Sequence, residues 1–177
     1  LTAASWMDYD GDQRPDVLLA DGFRGLRLYR NKAAALPAGG APKPGAWLVI
    51  GPFDSPDGKG FDTAYPPETE FDPKKEYVGK ANEKVAWRPG NFPDGQVNNL
   101  AVFKPELNAN AVVYLYREFE APAPVELPIS LGSDDTLTVW LNGAKLLAEK
   151  VDRACTPDQN LLKLSLKAGK NALLLKV

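Results

Sequence analysis

The densest group of chemically capable side chains lies near the amino end, in Asp8-Tyr9-Asp10-Gly11-Asp12-Gln13-Arg14-Pro15-Asp16. Counted from Asp8, carboxylates fall at positions one, three, five and nine, and Gly11 at position four lets the chain turn tightly enough for them to converge. Hard oxygen ligands in this number suit Ca2+, which takes six to eight oxygens at about 2.3–2.6 Å. Four carboxylates so close repel one another unless a cation neutralises them. The candidate ligands are therefore Asp8, Asp10, Asp12 and Asp16, with the backbone carbonyl of Arg14 at position seven; Pro15 stiffens the exit. An EF-hand would need glycine at position six and glutamate at position twelve, where Gln13 and Leu19 stand, so the loop is expected to lead into a strand. The competing reading is a solvated, Asp-rich turn without metal.

Other candidates are weaker. Asp54, Asp57 and Asp62 form a second acidic run, less regular and interrupted by Lys59, and a glycine-rich surface turn is favoured there over a second metal site. Sugar recognition needs aromatic faces beside groups that hydrogen-bond hydroxyls. Among the aromatic residues, Trp140 shares a strand face with Thr138, opposite Leu137, Val139 and Leu141, and is the candidate ligand-binding residue. Packing of these rings in the core is the more ordinary use. A glycosidase can run on two carboxylates about 5–10 Å apart, but nothing in the sequence singles out such a pair. The chain has no histidine and only Cys155, which removes Ser-His-Asp and Cys-His catalysis, the usual zinc sites and any intrachain disulfide. No catalytic constellation is recognisable, and the expectation is a protein that is not an enzyme.

The elements that must hold these residues are short. Sixteen prolines and fifteen glycines in 177 residues break the chain into pieces, which favours an all-β fold. Residues 1–32 contain Val17–Ala20 and Leu26–Tyr29, two expected strands joined by a turn. Residues 33–45 are small and proline-rich and read as a linker. Residues 46–177 carry strand-like runs at Trp47–Ile50, Ala111–Phe119, Val125–Leu131 and Thr136–Leu141. Asn142-Gly143 between apolar runs signals a tight hairpin, and Leu162, Leu164 and Leu166 alternate with polar residues as in a half-buried strand. Residues 51–110 are expected to wrap over a two-sheet sandwich of jelly-roll type, with a short strand near Val85–Trp87. A net charge of −2 provides no field for nucleic acid, and no run approaches the roughly 18 apolar residues of a membrane-spanning helix. Starting at Leu1 and ending on an apolar run, the sequence reads as a piece of a longer protein.

The segment from Ala4 to Asn31, with its Asp-x-Asp-Gly-Asp-x-x-x-Asp loop followed by Asp-Val-Leu-Leu-Ala, resembles the FG-GAP or VCBS repeat. The resemblance implies calcium held between strands, with Asp8, Asp10, Asp12 and Asp16 as side-chain ligands. From Trp47 to Val177 the chain resembles galactose-binding-like β-sandwich modules of large secreted proteins from planctomycete-type bacteria, through Trp47–Phe53, Gly58–Pro67, Gly132–Gly143 and Lys167–Val177. Together these imply a jelly-roll sandwich preceded by a calcium-loop β-hairpin. They also imply a secreted or cell-surface location and a non-catalytic accessory role, with a carbohydrate or a cell-surface protein as partner. A structural spacer of a cell-surface assembly is the alternative, followed by a carboxylate glycosidase.

Overall fold

The computed structural model describes residues 2–7, 16–21, 25–29 and 40–177 apart from Ala101, the first three stretches by backbone alone. The chain divides into two compact units, Leu1–Leu36 and Pro37–Val177. Among the described residues every strand pairing is antiparallel and helical structure is limited to single 3-10 turns, so the fold is all-β as expected.

In the first unit β1 (Thr2–Met7), β2 (Asp16–Asp21) and β3 (Gly25–Tyr29) form one sheet in that order. β2 and β3 are the expected pair, in register from Val17↔Tyr29 to Asp21↔Gly25. β1 was not legible, because Thr-Ala-Ala-Ser-Trp-Met has little of the β-branched patterning that marks a strand.

The second unit is built on a seven-stranded sheet. Its strands are β4 (Lys43–Pro44), β5 (Trp47–Asp54), β8 (Arg88–Gly90), β9 (Ala111–Ala121), β11 (Leu137–Leu141), β12 (Ala144–Glu149) and β14 (Gly169–Lys176). They run in the order β12-β11-β14-β9-β5-β8, with β4 also paired to β9. Two smaller sheets accompany it: β6 (Glu76–Val78) with β7 (Lys84–Ala86), and β10 (Val125–Leu131) with β13 (Asn160–Leu166). The end of the expected linker is therefore sheet: Lys43 and Pro44 pair with Glu120 and Phe119, and Gly45 N donates to the Glu118 carbonyl at 2.8 Å. On the same side of β9, beyond β5, Pro89 lies in β8, opposite Leu48.

Both faces of the large sheet are buried, and the period of two along β9 shows how. Val113, Leu115, Phe119 and Ala121 join one apolar cluster, while Val112, Tyr114 and Tyr116 join the other. The first cluster is closed by β10 and β13, whose Leu127, Ile129, Leu162 and Leu164 point inward in the alternation read from the sequence. The second face is covered by the wrapping segment after β5, through Tyr65, Tyr77, Val85 and Trp87. The hairpin from β11 to β12 turns at Asn142 (φ 51°) and Gly143 (φ 81°), the positive-φ pair that a type I′ turn requires.

Candidate functional site

The β10–β13 pair does not reach the whole of the face it covers. Beyond the end of β10, the large sheet presents Val113 and Leu115 of β9, Leu137 of β11 and Leu175 of β14 as the floor of a cleft of about 770 Å³. This is within the size range of small-molecule sites, which combine apolar walls with a few polar groups.

Two sets of loops make the walls. One runs from Phe92 to Asn108 between β8 and β9 and contributes Phe92, Leu100 and Phe103 beside the amides Gln96, Asn98, Asn99 and Asn108. Basic side chains anchored on the sheet fix this wall. Arg117 Nη1 lies 2.9 Å from both carboxylate oxygens of Asp94, its Nε donates to the Gly45 carbonyl at 2.9 Å, and its guanidinium sits 4.5 Å from the Trp47 ring centroid. Arg88 donates to the Val102 carbonyl at 3.0 Å and stacks 4.8 Å from the Phe103 ring centroid. A planar guanidinium suits such combined stacking and charge-assisted bonding.

The other wall joins Ser130–Asp134 to Cys155–Asp158. Arg153 ties these together, donating to Ser133 Oγ at 2.8 Å and Asn160 Oδ1 at 2.7 Å, while Ser133 N donates to Gln159 Oε1 at 3.0 Å. The approach is so close that a Cβ on Gly132 would lie 1.9 Å from the Thr156 carbonyl oxygen. Only glycine fits there.

The chemistry of the lining is one-sided. It includes Asp94, Asp134 and Asp158 and the amides named above, and no lysine or arginine among the described residues. Asp94 is already committed to Arg117. Asn108 donates through Nδ2 to the Phe103 carbonyl at 3.4 Å, while its buried Oδ1 has no hydrogen-bond partner. Cys155, the only cysteine of the chain, is a half-buried free thiol on the same lining.

The residues singled out from sequence fall elsewhere. Asp8, Asp10, Asp12 and Arg14 lie outside the described residues, and Asp16 is described by its backbone alone, as the first residue of β2. Met7 pairs with Asp16, so the acidic run joins two neighbouring antiparallel strands. Trp140 is 8% exposed and belongs to the second cluster, with Lys145 Nζ 5.3 Å from its ring centroid. The ring packs in the protein and is not an open platform. The second acidic run does not converge: Asp54 faces Lys80 at 3.6 Å, Asp57 faces Lys59 at 3.5 Å, and Asp62 faces Lys150 at 2.5 Å. Among the described residues no group of three or more His, Cys, Asp or Glu is placed to hold a metal.

The cleft itself was not anticipated. Its one sequence signal is the density of amides between Gln96 and Asn108, interleaved with Phe92, Leu100 and Phe103 in a segment with neither strand nor helix period.

A second polar cluster lies on the other face. Lys176 Nζ donates to Glu68 Oε1 (2.7 Å) and to the carbonyls of Thr63 (2.7 Å) and Phe61 (3.1 Å), and Tyr114 donates to the same Glu68 oxygen at 2.5 Å. Burial, reinforced by the hydrogen bond to Glu68, pushes the Tyr114 phenol well above its ordinary range. All three ammonium protons are used, so the cluster fastens the wrapping segment and leaves nothing for a ligand.

Fold and cleft define an antiparallel all-β sandwich protein with a large concave site among the described residues. No protein-family model matches the sequence, and no curated protein matches it. Among solved structures it is similar to a GH31 α-xylosidase (Xac1773) from Xanthomonas citri at 12% identity and a TM-score of 0.38. The match covers 99% of this chain and 23% of that one, and a likeness at that level carries no argument about activity. Among the described residues no helix is long and apolar enough to cross a membrane.

Proposed function

We propose that the chain is a non-catalytic, calcium-stabilised accessory module of a larger secreted bacterial protein, and that its cleft binds carbohydrate. The observation that carries the reading is the cleft itself: an apolar floor suited to the C–H faces of a sugar ring, bordered by side-chain amides and carboxylates suited to its hydroxyls. Of the carboxylates on the lining, Asp94 is neutralised by Arg117 while Asp134 and Asp158 stay exposed on one wall, so a hydrolysis assay on the same oligosaccharides separates binding from turnover. Calcium belongs to the first unit, where the acidic run falls in sequence between the paired strands β1 and β2, with Met7 opposite Asp16.

Cys155 gives a direct test, since a single thiol on the lining reports occupancy of the cleft. Alkylation of Cys155 by a maleimide, followed by mass spectrometry, should slow several-fold in the presence of a bound oligosaccharide, with calorimetry giving the affinity. No protection and no heat across neutral and acidic oligosaccharides would overturn carbohydrate binding and favour a structural spacer. For the metal, melting temperature is compared with 1 mM Ca2+ and with excess chelator. Extracellular sites bind at about 0.1–1 mM, so ion at ten times the dissociation constant stabilises by about 1.4 kcal/mol. An unchanged melting temperature would remove calcium from the proposal.

A further inference from the structure

The one Asn-Gly pair of the chain, Asn142-Gly143, turns the β11–β12 hairpin at the surface. We infer that this pair is a modification site: Asn142 is converted by water to aspartate or isoaspartate when its side chain is released from Asn171, and the product cannot rebuild the bonds that protected it. In this conversion the backbone nitrogen of Gly143 bonds to Cγ of Asn142, the Cγ–Nδ2 bond breaks, and ammonia leaves with the proton lost from Gly143. Water then opens the cyclic imide at either carbonyl, and nothing is oxidised or reduced. Glycine favours the attack because no side chain crowds its nitrogen, and no atom lies within 4 Å of where a Cβ on Gly143 would stand.

What restrains the reaction is the seat of the Asn142 amide. The backbone N–H of Asn142 donates to the Ala172 carbonyl at 2.8 Å, and its Oδ1 accepts from Ala172 N at 2.9 Å, so the side chain extends the β11–β14 ladder past Leu141↔Leu173. Its Nδ2 donates to Asn171 Oδ1 at 3.0 Å. Asn171 is 1% exposed and is fixed in turn: Oδ1 also accepts from Lys167 N at 2.9 Å, and Nδ2 donates to the carbonyls of Lys167 (2.7 Å) and Gly169 (3.0 Å). Backbone groups define both orientations, so neither amide can turn over. Ring closure requires the Asn142 side chain to swing back onto its own backbone, which breaks its bonds to Asn171 and Ala172, and the reaction therefore follows local opening of the hairpin. After conversion, a carboxylate oxygen stands against Asn171 Oδ1 where Nδ2 had donated. Asn171 has no N–H left to answer it, since both are taken. Isoaspartate adds a carbon to the backbone of the tight turn. Either product joins the hairpin to β14 less firmly.

The full chain is aged at mildly alkaline pH, both folded and in urea, and the peptide carrying Asn142 is followed by mass spectrometry. Conversion in the folded protein should run at least about tenfold slower than in urea, because it waits on local opening. Asn171→Ser, which removes the acceptor of Asn142 Nδ2, should speed conversion in the folded protein several-fold. The converted fraction, separated by its added negative charge, should melt about 3 °C or more below the fresh protein, and Asn142→Asp should do the same. Equal rates in the folded and unfolded chain, or no conversion at Asn142 in either, would overturn the inference. So would a folded Asn171→Ser variant that reacts no faster, or a converted fraction that melts like the fresh protein. If Asn171→Ser does not fold, the ratio of folded to unfolded rates and the melting of the converted fraction decide.

Discussion

Lys176 is 3% exposed, and a lysine so deep is stable only because every proton of its ammonium group has an acceptor. Its removal leaves the Glu68 carboxylate with one neutral donor, Tyr114, and frees two loop carbonyls. Breaking a buried pair by deleting one partner costs about 3–5 kcal/mol. Lys176→Met should therefore lower the urea midpoint markedly, while the pair variant Lys176→Met/Glu68→Gln should recover part of the loss. The tyrosines around this pair make a second prediction. Burial raises the phenol of Tyr114 well above its usual range and pushes that of Tyr116 up to about 12, with Glu118 adding to the latter. Above about pH 10 a tyrosine in the unfolded chain loses its proton while these retain theirs, so the unfolded state binds fewer protons and stability falls as pH rises. Urea midpoints should drop between pH 9 and pH 11.5, and Tyr116→Phe should reduce the slope. A flat profile would show that these phenols ionise as readily in the native protein as in water.

At the scale of elements, the cleft walls are loops held by side chains and not by ladders. Gly132 is the tightest point, because its backbone and that of Thr156 touch without room for a methyl group. Gly132→Ala should force the Cys155–Asp158 wall outward, costing about 1–3 kcal/mol as overpacking does and raising the alkylation rate of Cys155 at least twofold in the free protein. An unaltered rate would mean that the wall absorbs the methyl elsewhere. This contrast also explains what could be read from the amino-acid sequence. The β11–β12 hairpin was legible because Asn142-Gly143 is a local signal, and β13 because alternating leucines need only one buried face. The cleft walls were not, since Arg117 meets Asp94 across 23 residues and Arg153 meets Ser133 across 20, pairings that no local period encodes. Trp140 was placed on the correct strand face, but the exposure of that face depends on Tyr65, Tyr77 and Trp87 arriving from the wrapping segment.

For the molecule as a whole, a sheet buried on both faces explains why so much of the polar loop sequence carries apolar anchors. The segment between β5 and β9 covers one face with Tyr65, Val85 and Trp87, then closes the end of the other with Phe92, Leu100 and Phe103. A single wrapping segment thus serves both as cover and as cleft wall. The other consequence of this layout lies at the rim of the sheet. β8 is three residues long, and Pro89 at its centre has no N–H to offer to a further strand. Growth of the sheet by recruitment of a neighbouring chain is blocked on that side, so this boundary resists becoming the seed of a fibril.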